Sequence, residues 1–106
     1  MSSISLSHVV RLSPDVIVQE VSGEAVLLDL RSESYFGLDP VGLVIWRALG
    51  ESGTLASAHA AVLAAFDVES ARAEADLVAL VESLAEAGLV EAVAAGVASG
   101  SGADSA

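Results

Sequence analysis

The sequence predicts an α+β fold, a three-stranded antiparallel β-meander followed by three α-helices. Three observations carry the prediction. Between Val16 and Leu38 lie three short runs rich in β-branched, aromatic and alternating apolar residues. Connections of about three residues separate them, and connections that short join antiparallel neighbours. From Pro40 onward the apolar residues recur at spacings of three and four, the period of a helix.

The elements follow in order. Residues 1–7 are small and polar, with Ile4 and Leu6 alternating, and read as a flexible lead-in. His8 to Leu12 is apolar enough to lie along the sheet, and Ser13-Pro14-Asp15 turns the chain. Val16 to Val21 is the first strand. Ser22-Gly23-Glu24 is a tight turn in which Gly23 supplies positive φ. Ala25 to Leu30 is the second strand, with Val26, Leu28 and Leu30 on one face and Ala25, Leu27 and Asp29 on the other. Arg31-Ser32-Glu33 turns the chain again, and Ser34 to Leu38 is the third strand. In a meander this strand lies at an edge, and Gly37 within it marks a bulge or a close backbone approach.

Asp39 is placed to cap the first helix, and Pro40 suits its first position because it has no N–H to leave unpaired. That helix runs to about Leu49, with Gly42, Ile45, Trp46 and Leu49 on its apolar face and Gly50 as its stop. Thr54 caps a second helix, to about Phe66, whose stripe is Leu55, Ala58 or His59, Val62 and Phe66. After Asp67-Val68-Glu69-Ser70 the third helix runs to Ala87, with Ala73, Leu77, Leu80, Val81 and Leu84 at helical spacing. Gly88 and Leu89 give a Schellman ending. Residues 93–106, almost entirely Ala, Gly, Ser and Val, read as a disordered tail, which leaves residues 8–92 as the one domain. Strands beside helix-turn-helix make the winged helix-turn-helix layout, which does not fix a function.

The composition excludes several function classes. Four arginines and no lysine face fifteen acidic residues, a net charge of −11, and a phosphate-rich surface would be repelled. The second helix has no basic residue and the third has only Arg72, so a nucleic-acid-reading helix is missing. The acidity keeps copies of an Ala-rich domain apart, or favours a basic or neutral partner. No cysteine is present, so no disulfide or thiol chemistry is available, in keeping with a reducing cytoplasm. No basic region precedes an apolar run at the N-terminus, and no apolar run is long enough to span a membrane.

Catalysis has no candidate constellation. His8 and His59 stand far apart and outside any metal-ligand spacing. No serine sits in a nucleophile elbow, and the glycines at 50 and 53 lack the lysine of a phosphate loop. Glu82 and Glu86 read as a solvated like-charge pair. Asp76 lies at the border of the third helix's apolar stripe, four residues after Arg72. It reads as an intrahelical ion pair or as a polar anchor at the rim of a groove. Tyr35 and Phe36 point to opposite faces of the edge strand, one toward the core and one toward the surface.

The run Tyr35-Phe36-Gly37-Leu38-Asp39-Pro40-Val41-Gly42, followed by Ile45-Trp46 and Leu49, resembles the PqqD-like family. These are recognition elements for the precursors of ribosomally made, modified peptides (RiPPs). In that family an aromatic-x-Leu-Asn/Asp strand end leads into a helix with an Ile-Trp or similar pair. The likeness continues through Asp67, Val68, Asp76, Leu80, Leu84 and Gly88-Leu89-Val90, and spans Val9 to Glu91. Tyr35 and Trp46 are more similar to the stand-alone recognition proteins of lasso peptide biosynthesis than to PqqD itself. Asp39 stands where Asn is common, and both cap a helix.

The resemblance implies a non-catalytic binder of a leader peptide, without a cofactor. The leader would lie antiparallel along the third strand, in its cleft with the third helix. The attached core peptide would then be presented to a leader protease of the cysteine type and an ATP-dependent macrolactam synthetase. A PqqD-type peptide chaperone of pyrroloquinoline quinone biosynthesis is the alternative.

The residues support the same mode. Ser34, Tyr35, Phe36, Gly37 and Leu38 form a strand edge with no charge to blunt it. Such an edge accepts a foreign strand through backbone pairing, with pockets supplying selectivity. Tyr35 or Phe36 would form one wall, Leu77, Leu80 and Val81 the other, and Arg72 and Asp76 would orient polar groups. A homodimer pairing through the same edge is the rival reading.

Overall fold

The computed structural model describes residues 4–94. In chain order it has β1 (His8–Leu12), β2 (Val16–Val21), β3 (Glu24–Asp29), β4 (Ser34–Leu38), α1 (Pro40–Ser52), α2 (Leu55–Ala65), α3 (Ser70–Glu86) and β5 (Val90–Ala94). The meander is the antiparallel sheet β2-β3-β4, so β4 is the edge strand expected at 34–38. Val21 pairs with Glu24, leaving Ser22 and Gly23 as a two-residue loop with φ of 54° and 81°. Positive φ at both positions is the hairpin turn whose twist matches the strands.

Two strands not expected from the sequence form a second sheet. β1 pairs antiparallel with β5, from His8 opposite Ala94 to Leu12 opposite Val90. His8 to Leu12 therefore does not lie along the meander. Its backbone is held instead at the α1–α2 junction, where the Val10 amide donates to the Gly53 carbonyl at 2.6 Å; just past β1 the Ser13 amide donates to the Leu89 carbonyl, between α3 and β5, at 2.9 Å. Strand pairing through Ala94 also extends into the segment expected to be disordered from 93 onward. The rest of that segment, 95–106, lies outside the described residues, as do residues 1–3. In the lead-in, Ile4 and Leu6 pack against the core and the Ser5 amide donates to His8 Nδ1 at 3.0 Å, so its described part is anchored.

The helix ends show which local signals prevail. Asp39 Oδ1 accepts the Gly42 amide at 2.7 Å with Pro40 at the first position, and Thr54 Oγ1 accepts the Ser57 amide at 3.2 Å, as the sequence indicates. Gly50 does not stop α1. It lies inside the helix against Leu12, and Gly53, with φ of 78°, ends it by donating to the Leu49 carbonyl. α3 ends as read: Gly88 has φ of 80° and the Leu89 amide donates to the Leu84 carbonyl at 2.9 Å.

The core lies between the inner face of β3–β4, the three helices and the β1–β5 ribbon. Leu27, Ile45, Leu49, Leu55, Leu77, Val81, Leu84 and Leu89 are its most enclosed members, and Trp46 is buried with them. Ala25, Leu27 and Asp29 form the inner face of β3, while Val26 points outward. β2 overhangs: from Ile17 to Val21 every residue is exposed, and the Glu20–Arg47 ion pair ties it to α1.

Candidate functional site: a groove beside an open strand edge

β4 pairs with β3 on one side only; among the described residues no strand covers its other edge. β1, the segment best placed in sequence to fill that edge, is committed to β5. The outer edge of β2 is also open; it carries Ile17, Val18 and Val21 exposed beside Gln19 and Glu20, and its tie to α1 is the Glu20–Arg47 ion pair.

The β4 edge differs because it borders a concavity shared with the helices. Gly37, Leu38, Asp39, Val41, Gly42, Ile45, Asp76 and Leu80 line a hollow of about 210 Å³ between the end of β4, the start of α1 and the middle of α3. It is smaller than the roughly 300–1,000 Å³ of small-molecule sites, and it suits one inserted apolar side chain. Leu38 and Ile45 form its buried floor, and Leu80 and Val41 are half-buried at its walls. Leu80 is the member of the α3 stripe that the core leaves partly uncovered; Ala73, Leu77, Val81 and Leu84 are all buried. Gly42 permits the tight join of β4 to α1. A Cβ there would come within 3.2 Å of Leu38 Cδ2 and 3.3 Å of Asp39 Oδ1, the atom that accepts the Gly42 amide.

Asp39 and Asp76 supply the polar atoms of the hollow. Asp39 is occupied as the helix cap. Asp76 is exposed at the rim, with Arg72 Nε 4.0 Å from its Oδ2. An exposed i,i+4 pair of this kind is worth about 0.3–0.5 kcal/mol, so either group is free to turn toward a ligand at small cost. Asp67, Val68, Glu69, Arg72 and Asp76 continue the depression toward the start of α3.

The structure separates the expected site residues. Leu38, Gly37, Asp76 and Leu80 converge on the hollow; Phe36 faces inward, half-buried against the core; and Ser34 is exposed at the start of the edge. Leu77 and Val81 do not form the groove wall. Both are 0% exposed, because they sit on the side of α3 that seals the core, on the same flank of the direction in which Leu80 points. Tyr35 does not form a wall either. Opposite Leu28, which in turn lies opposite Ile17, it stands 74% exposed on the outer face of the sheet. Gly37 pairs with Val26 in regular register, so it marks no bulge; nothing among the described residues lies within 4 Å of a Cβ built on it, so it marks no close approach.

Val41 was missed by sequence reasoning. The signal was present: it stands four residues before Ile45 in the first turn of α1, and so overhangs the hollow. The histidines have structural partners, His8 with the Ser5 amide and His59 Nε2 with the Ser70 carbonyl at 2.9 Å. Among the described residues no three His, Cys, Asp or Glu side chains come together as a metal site.

Comparison with known proteins places this geometry. Residues 24–90 match the family described as Coenzyme PQQ synthesis protein D (PqqD). The fold is similar to that of TbiB1 in complex with the TbiA(beta) leader peptide, at 34% identity over 76% of this chain and 94% of that one, with a TM-score of 0.71. It is also similar to lasso peptide synthetase B1 complexed with the leader peptide, at 33% identity over 77% and 96% of the two chains, with a TM-score of 0.69. No curated protein matches the sequence. The matched span contains β3, β4 and the three helices, every element that builds the hollow, and the chain belongs to the PqqD-like family of RiPP recognition elements.

Proposed function

We propose that the protein binds the leader segment of a lasso peptide precursor by strand addition to β4, without catalysing a reaction. The observation that carries this reading is an open strand edge flanked by an apolar hollow on the helix side. Backbone pairing along Ser34 to Leu38 holds an extended segment whatever its sequence, and the hollow selects one of its side chains. Both solved structures to which the fold is similar are complexes with leader peptides.

The recognition domain, expected over residues 8–92, takes in β5 as far as Ala94. Ser34, Phe36, Gly37, Leu38, Val41, Ile45, Asp76 and Leu80 meet the leader, with Arg72 beside Asp76 at the rim. The bound precursor is presented in the cytoplasm to a cysteine-type leader protease and an ATP-dependent macrolactam synthetase. Sequencing of the neighbouring genes separates the classes: a short precursor gene beside a protease and an asparagine-synthetase-like enzyme would support this one, and genes for quinone biosynthesis would support a PqqD-type chaperone.

Leu80→Asp tests the site. It places a charge on the half-buried wall of the hollow and leaves the buried stripe intact, so the circular dichroism spectrum and thermal midpoint stay near those of the parent. Titrated against a fluorescein-labelled lasso leader peptide that the parent chain binds, the variant loses binding. Unchanged affinity would refute the assignment.

A further inference from the structure

We propose that Arg31 is a positioning residue for leader binding: its guanidinium clasps the β3–β4 turn to the end of α3 and so sets the gap between the two walls of the groove. The inference rests on the strand-addition reading above and concerns the end of the groove away from the hollow.

The two walls belong to separate parts of the fold. β4 packs on β3 and α1, whereas α3 packs on α1, α2 and β5. At the Leu38 end α1 lies between them, and the hollow forms there. At the Ser34 end the link is Arg31. Its Nη2 donates to the carbonyl of Gly88, just past α3, at 3.3 Å. Its Nε lies 3.5 Å from Asp15 Oδ2 and 3.9 Å from Asp29 Oδ1. Among the described residues, no other hydrogen bond joins residues 16–38 to residues 70–94.

The residue types fit this task. A helix C-terminus carries partial negative charge and favours a cation. α3 has no basic residue in its last turn and ends on Glu86, so the cation comes from another element. Arginine presents a planar fork of donors, which can hold two acceptors at once. The turn that carries Arg31 is itself fixed. The Arg31 amide and the Ser32 hydroxyl donate to the Asp29 carboxylate, and the Glu33 amide donates to the Asp29 carbonyl at 2.7 Å. Asp29 in turn pairs with Ser34, the first residue of the open edge, so a shift of the clasp passes straight to β4. The turn before β2 braces the same junction: the Asp15 carbonyl accepts the Leu30 amide, and the Ser13 amide donates to the Leu89 carbonyl. The Arg31 side chain is 61% exposed, and exposed ion pairs add little to overall stability. Its contribution is order. A groove already held at one width has less freedom to lose when the leader enters.

The test is the affinity of a fluorescein-labelled lasso leader peptide that the parent chain binds, measured in the cold, where circular dichroism shows each variant folded. Arg31→Gln binds about fivefold more weakly, the size of one lost exposed charged contact. Arg47→Gln removes the same charge, and with it the Glu20 ion pair between β2 and α1, and binds as the parent does. Leu80→Ala widens the hollow and weakens binding by itself. In the double variant the two losses multiply to less than their product, because both act on the fit between the walls. Parent-like affinity in Arg31→Gln, an equal loss in Arg47→Gln, or losses at Arg31 and Leu80 that multiply in full would overturn the clasp and leave the groove standing. If Leu80→Ala binds as the parent does, strand addition at this groove fails, and the clasp with it. Should Arg31→Gln not fold, Asp15→Asn, which removes one partner of the guanidinium, is read against the same controls.

Discussion

Asp29 shows how a single residue holds the open edge in place. It is the one buried charged side chain among the described residues, at 2% exposure, and it stands opposite Ser34 at the first position of β4. Its Oδ1 accepts the Arg31 amide at 3.0 Å and its Oδ2 accepts the Ser32 hydroxyl at 3.0 Å. The Arg31 amide, then the Ser32 hydroxyl and the Arg31 charge, hold its pKa below the ordinary 3.8 against the opposing effect of burial. A depressed folded-state value means that the unfolded chain takes up protons first as the pH falls. The stabilisation is therefore complete above the unfolded value and is lost as pH drops through the folded one. Asp29→Asn is expected to lower the urea midpoint at neutral pH, by a margin that narrows below the ordinary carboxylate value. A margin independent of pH would show that the charge is not what matters. In the same way, Leu77→Ala tests the assignment of Leu77 to the core. It should cost about 2–5 kcal/mol of stability in urea unfolding, while the remaining folded protein binds leader normally.

At the level of elements, the signals that proved legible are local. Asp39-Pro40, Thr54 and Gly88-Leu89 each act on amides or carbonyls within one helical turn, and each cap forms as its residues indicate. The alternation along Ala25-Val26-Leu27 correctly divides the two faces of β3. What stayed hidden is non-local. Val90-Glu91-Ala92-Val93-Ala94 carries little strand propensity of its own, and it becomes a strand because His8 to Leu12, some eighty positions away, supplies a partner. Gly50 and Gly53 are equivalent stop signals in the sequence, and it is Gly53 that takes the left-handed cap, beside β1, where its carbonyl accepts the Val10 amide. For the site, the edge strand and Leu80 were legible from order and spacing. Helical spacing alone could not say which flank of the α3 stripe the core would cover, and so could not separate Leu80 from Leu77 and Val81. The β1–β5 ribbon is expected to brace the helices rather than the groove. Val10→Asp, in a strand residue only 4% exposed, should lower the thermal midpoint sharply, and saturating leader should restore part of it. No shift on adding leader would separate the groove from the fold's stability.

Among the described residues, the β4 edge borders an apolar hollow on the helix side, in a chain of net charge −11. Arg31, Arg47 and Arg72 are each drawn to a carboxylate, and Arg11 lies opposite Glu91 in register, so no basic patch survives. The field keeps two copies apart and leaves the β4 edge free for a less acidic chain. Light scattering should therefore report a monomer at low ionic strength, with pairing through β4, if it occurs, appearing only as salt screens the repulsion. Amide hydrogen exchange with and without bound leader tests the central claim most directly. Strand addition predicts that alternate amides of Ser34 to Leu38, those turned away from β3, slow markedly on binding, while the exposed edge of β2 exchanges as before. Protection appearing on β2 or confined to the helices, with the β4 amides unchanged, would contradict it.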